Sequence, residues 1–117
     1  MSSESQTSRT HDGERVDDGI PAGDRLDVLG NDCSRTILAA TQDGPLTAKE
    51  LTALTDCSSA TVYRRINDLI DSDLLEECIR FESGGSHTTA YRAIVSTLRV
   101  EIGSEGITLS VRETTDE

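Results

Sequence analysis

Two arginines, Arg64 and Arg65, stand side by side in the stretch CSSATVYRRINDLIDSDLL at 57–75, with no acid in the seven residues before them. A guanidinium group donates hydrogen bonds in a planar fork that fits a guanine edge or a phosphate. Such a pair is out of keeping with its chain, which has 22 acidic and 11 basic residues, a net charge of −11 and a single lysine, Lys49. Other chemistry finds little support. His11 and His87 are the only histidines, so no nucleophile–histidine–acid set can be assembled. Glu76 and Glu77, neighbours on an expected strand, point to opposite faces and cannot share a substrate proton. Gly84-Gly85 lacks the lysine and following helix of a phosphate loop. Cys33, Cys57 and Cys78 are odd in number and have no zinc or redox spacing, so each reads as an isolated, small apolar residue. No catalytic residue, cofactor or metal site is expected.

The arginines need an element to present them. Val62, Ile66, Leu69 and Ile70 follow the i, i+4, i+7, i+8 rule, which predicts a helix at about 59–72 with those four residues inward. At ~100° per residue Arg64 falls almost opposite that apolar arc, beside Ala60, Thr61 and Asn67, with Tyr63 and Arg65 on the flanks. Upstream, Thr47 and Glu50 form a capping-box pattern for a helix whose stripe is Ala48, Leu51 and Leu54. A still earlier helix is expected at about 32–42, capped by Asp32 and stopped by Gly44-Pro45. The tight Asp56-Cys57-Ser58 connection between the last two helices predicts a helix-turn-helix, although without the turn glycine that many carry.

Downstream the apolar period changes from 3.6 to 2. A hairpin turning at Gly84-Gly85 makes a wing, and a second hairpin turning at 103–106 places Leu98, Val100, Ile102, Ile107, Leu109 and Val111 on one face that must be covered. The expected fold is α+β: a winged helix-turn-helix of three helices plus a β-hairpin wing, with an additional C-terminal β-hairpin. The boundaries are a disordered acidic tail at 1–25, the winged unit at 26–95, the second hairpin at 96–111 and a short disordered tail at 112–117. Should Phe81 and Tyr91 share a face, Arg80 and Arg92 would be near neighbours on the other, an arrangement that favours an anion between them.

The composition narrows the setting. Acid surplus with almost no lysine, few aromatics and abundant Thr, Ser and Asp is similar to proteins that work in molar salt, where a Debye length of ~3 Å screens surface self-repulsion. No apolar run is long enough to cross a membrane and the N-terminus has no signal pattern, so a cytoplasmic location is expected.

Over 26–95, the order LGNDCSRTILAATQDGPLTAKELTALTDCSSATVYRRINDLIDSDLLEE followed by a glycine-tipped hairpin ending TAYRA resembles the small ArsR-like winged-helix regulators of halophilic archaea, with TVYRRINDL the most specific part. The resemblance implies a homodimeric transcription regulator on palindrome-like duplex DNA, with Thr61, Tyr63, Arg64 and Arg65 on the recognition helix. The metal-binding cysteine, histidine and aspartate sets of ArsR metal sensors are missing here, and no small-molecule effector is identifiable. The residues themselves assign the parts: Arg64 to a guanine edge, Tyr63 and Arg65 to phosphates, Ser58 and Ser59 to a phosphate at the helix N-terminus, and Arg80, His87 and Arg92 to backbone or minor-groove contacts from the wing. The alternative is a winged helix that serves as a protein–protein interaction module without reading DNA.

Overall fold

The computed structural model describes residues 14–16 and 22–113. Four helices, α1 (Ala22–Leu29), α2 (Asp32–Ala40), α3 (Ala48–Leu54) and α4 (Ser59–Asp71), are joined by five strands: β1 (Glu14–Val16), β2 (Leu75–Phe81), β3 (His87–Ala93), β4 (Val95–Gly103) and β5 (Gly106–Glu113). The helices and hairpins agree with an α+β winged helix-turn-helix, but with four helices among the described residues rather than three.

Local chemistry sets the helix ends. Asn31, not Asp32, caps α2: its side-chain oxygen accepts from the Ser34 N–H at 3.1 Å. The expected capping box on α3 is present, with Glu50 N–H donating to Thr47 Oγ1 and Thr47 N–H to Glu50 Oε1. Ser58 caps α4 by accepting from the Thr61 N–H. At its other end α4 closes in a Schellman motif, in which Leu74 N–H reaches Leu69 O and Asp73 N–H reaches Ile70 O. Asp73 takes the left-handed conformation there, with φ of 60°.

The helices close around one core. Val62, Ile66 and Leu69 of α4 are buried with Cys33 and Ile37 of α2, Leu51 of α3, and Leu74 and Leu75 where the wing begins. The wing is the two-stranded β2–β3 ladder, to which the segment before α3 adds one bridge: Leu46 and Tyr91 exchange both backbone hydrogen bonds. That bridge and the Arg80 contacts described below hold the wing against the helix-turn-helix. The second sheet has the order β1-β5-β4. Its apolar face is covered only at the base. Leu109 and Val111 are buried and Leu98 packs on the core, whereas Val100, Ile102 and Ile107 are exposed toward the tip.

α1 begins at Ala22, ahead of the boundary expected for the N-terminal tail. Residue 25 lies inside α1, and Arg25 is fully buried, its Nε donating to the Ser72 carbonyl at 2.9 Å. A cation suits that place because Ser72 ends α4, where unsatisfied carbonyls carry partial negative charge. Residues 14–16 pair with 110–112 of β5. Arg112 and Glu113, assigned to the C-terminal tail, belong to β5. Composition misses these elements because they are ordered by distant partners rather than by apolar content of their own. The rest of both expected tails, at 1–13, 17–21 and 114–117, lies outside the described residues.

Candidate nucleic-acid interface

The outward side of α4 is assembled as its wheel requires. Ser58, Ser59, Ala60, Tyr63, Arg64 and Asn67 are exposed, while Val62, Ile66 and Leu69 are buried. Thr61 is half-buried, and its Oγ1 lies 3.1 Å from the Ser58 hydroxyl, which donates to it. Because Ser58 takes the Thr61 N–H, the amides of Ser59 and Ala60 remain at the helix N-terminus without an intrahelical partner. Arg64 has no ion pair or hydrogen bond among the described residues. The intrahelical partner that could have occupied it, Asp68, pairs instead with Arg65 at 3.5 Å.

Arg65, expected beside a phosphate, sits differently from Arg64. Its side chain is only 18% exposed, and its Nε is buried without a hydrogen-bond partner. The guanidinium lies close enough to α2 for its charge to act on the Cys33 thiol. It lies along the flank of the core, where a phosphate has little access.

The two wing arginines are committed elsewhere. The hairpin register places Arg80 opposite Thr88 and Arg92 opposite Glu76, so the two lie four strand positions apart, roughly 13 Å, and are not near neighbours. Arg80 makes a two-bond fork with Glu50, Nη1 to Oε1 and Nη2 to Oε2 at 2.8 Å each. It also donates to Glu82 Oε2 and to the Pro45 carbonyl. These bonds hold the Glu50 carboxyl down to about 2, the Arg80 hydrogen bonds contributing most and the Thr47 amide next. Arg92 donates to Glu76 Oε2 from Nε at 2.7 Å and Nη2 at 2.6 Å. Arg80 therefore clasps the wing to the start of α3, and Arg92 ties the two strands of the wing together.

His87 is exposed on the wing and meets Phe81 edge-on, with ring centroids 4.7 Å apart. It also lines an open cleft of about 520 Å³ between the wing and the helix-turn-helix, together with Lys49, Tyr63, Thr88 and Thr89. Lys49, exposed and without a partner among the described residues, is a cation of this cleft to which the sequence reading gave no part. Its signal was available: a lone lysine in so acidic a chain, placed in the first turn of the helix preceding α4. Among residues 24–113, Lys49 and Arg64 are the cations left without an anionic or hydrogen-bonding partner, and both stand on the helix-turn-helix.

The fold also joins two cysteines that looked isolated. Cys33, at the start of α2, has Cys57 of the helix-turn-helix connection as a neighbour; burial first, then this neighbour, pushes the Cys33 thiol up to about 11. Cys78 stands apart on β2.

Residues 25–78 match the family model of a helix-turn-helix domain, a span that takes in the latter part of α1, all of α2, α3 and α4, and the first part of β2. No curated protein matches the chain.

Proposed function

We infer that the chain is a sequence-specific regulator of transcription that binds duplex DNA as a homodimer, with α4 in the major groove, and that it does so in molar salt. The observation that carries this reading is Arg64, an unpaired guanidinium on the exposed face of α4 flanked by small and hydroxylated side chains. Small neighbours let the helix backbone approach base edges, and an unpaired arginine can give two hydrogen bonds to guanine. Tyr63, Lys49 and His87 border the adjoining cleft, where the sugar–phosphate strand beside the groove would lie. The free amides of Ser59 and Ala60 suit a phosphate oxygen. The helix-turn-helix match supports DNA as the partner and a regulator rather than an enzyme.

High salt is consistent with this economy of cations. Phosphate contacts gain affinity by releasing counterions, and that gain vanishes in molar salt. A protein working there depends on base-edge hydrogen bonds, shape and apolar contact, for which few lysines are needed. The likeness to ArsR-like regulators of halophilic archaea fits the same composition.

The test is selection from a random duplex pool in ~2 M KCl, followed by sequencing of the retained fraction. A two-fold symmetric enriched site is expected. The rival reading, a protein-interaction module, draws on the exposed Ile79 and Phe81 of the wing. It predicts no enrichment from any pool, together with a stable protein partner.

A further inference from the structure

The second hairpin ends in an unfinished surface. The order β1-β5-β4 gives β5 a neighbour on each side and leaves β4 at the rim, with no strand on its outer edge among the described residues. Exposed edges are templates for pairing and are ordinarily blunted by lysine, proline or a bulge. β4, with the sequence VSTLRVEIG, has neither lysine nor proline, and its one irregularity falls between Val95 and Thr97, at the base. Farther out, Val100 and Ile102 are 43% and 79% exposed, on the same face as Leu98, while Arg99 and Glu101 alternate with them on the other face.

We propose that this edge pairs antiparallel with the same edge of a second copy, about a two-fold axis through Val100. The proposal deepens the homodimer part of the reading above by naming its surface. The strand's own sequence selects the register. Around an axis at Val100, Arg99 faces the partner's Glu101, Glu101 faces the partner's Arg99, and Leu98 faces the partner's Ile102. An axis one residue earlier sets Arg99 against Arg99, and one residue later Glu101 against Glu101; like charges directly opposite are unfavourable. An axis falling between residues places the apolar face of one copy beside the polar face of the other. Only the register at Val100 sets Arg99 against Glu101 while keeping the apolar faces together.

The same register deals with the uncovered tip. Leu98 packs against the margin of the core. Each exposed Ile102 is brought beside the partner's Leu98, and so to the border of the partner's helical body. The two sheets join into one, in which apolar surface left bare in a single copy continues into covered surface of the other.

Charge reversal in the full chain, without DNA, tests this by sedimentation velocity at about 0.2 M salt, where cross-strand charges are still felt. Arg99→Glu and Glu101→Arg should each weaken self-association by about tenfold, because each creates two like-charged pairs across the axis. An equimolar mixture of the two variants should recover a dimer of wild-type strength, since the variants then present opposite charges to one another. Recovery on mixing also demonstrates that both chains are folded. Ile102→Asp should weaken the dimer with an unchanged far-UV circular dichroism spectrum. A wild-type chain that sediments as a monomer would overturn the proposal and leave the face to a different partner. A dimer indifferent to all three substitutions, or a mixture that fails to recover, would place the interface elsewhere. None of these outcomes bears on whether α4 reads base edges, which the duplex selection tests separately.

Discussion

Most of the cations among the described residues are held by partners, and the residue-level question is which remain available. Arg64 and Lys49 do, while Arg65 and Arg80 carry structural duties that adjacency in sequence concealed. Their variants should therefore separate into two kinds. Arg64→Ala should cost about 1–3 kcal/mol of specific binding and relax one base preference. Lys49→Ala should weaken binding to all sequences alike and reduce the slope of affinity against salt by about 1. Competition binding with the selected site and point variants of it measures both; equal loss on every sequence for Arg64→Ala would refute its base-reading role. The cysteines give a second prediction at this scale. With its thiol pushed up to about 11, Cys33 holds almost no thiolate at pH 8, so iodoacetamide should modify it last of the three in the folded chain. Peptide mapping after timed alkylation reads the order, and early modification of Cys33 would contradict its burial beside Cys57.

Among the elements, the wing is joined to the helix-turn-helix by a charged clasp. The Glu50–Arg80 fork connects the first turn of α3 to β2, and Glu50 simultaneously completes the capping box. One side chain thus couples a helix end to the orientation of the wing, and hence to where His87 stands over the cleft. The carboxyl is held near 2 in the fold, below its ordinary value of about 4.3 in an unfolded chain. A depressed carboxyl contributes stability that is fully present above about pH 4.3 and is lost as the pH falls toward 2. Denaturant midpoints of wild type and Glu50→Gln should accordingly differ most at neutral pH and converge between about pH 4.5 and 2. A gap that stays constant across this window would mean that the clasp contributes nothing through its charge.

For the molecule as a whole, the helical body is sealed by a residue far from the interface in sequence. Arg25 reaches from α1 to the carbonyl that ends α4, fully buried. Arg25→Ala should destabilise the fold by about 2 kcal/mol, the worth of a hydrogen bond from a charged donor plus lost packing. Urea unfolding measures it, and an unchanged midpoint would show that α1 is not part of the cooperative unit. Because the contact lies at the C-terminal end of α4, the variant should leave base preference intact once the protein is folded.

The primary structure by itself determined the helix-turn-helix. The apolar spacing of α4, the Thr47–Glu50 capping box and the glycine-turned hairpins are local patterns, and each stands where periodicity and capping chemistry placed it. The outward position of Arg64 follows from the same periodicity, because a helix that buries Val62, Ile66 and Leu69 has only one direction left for that side chain. Tertiary structure alone decided which cations are engaged. Arg80 meets Glu50 across 30 residues, and Arg25 meets Ser72 across 47. Tertiary contacts also recruited 14–16 and 22–25 into ordered elements and left the tip of the second hairpin bare. A guanidinium pairs with whichever carboxylate or carbonyl the packing brings within about 3 Å, and that proximity is a property of the folded backbone, not of any window of sequence.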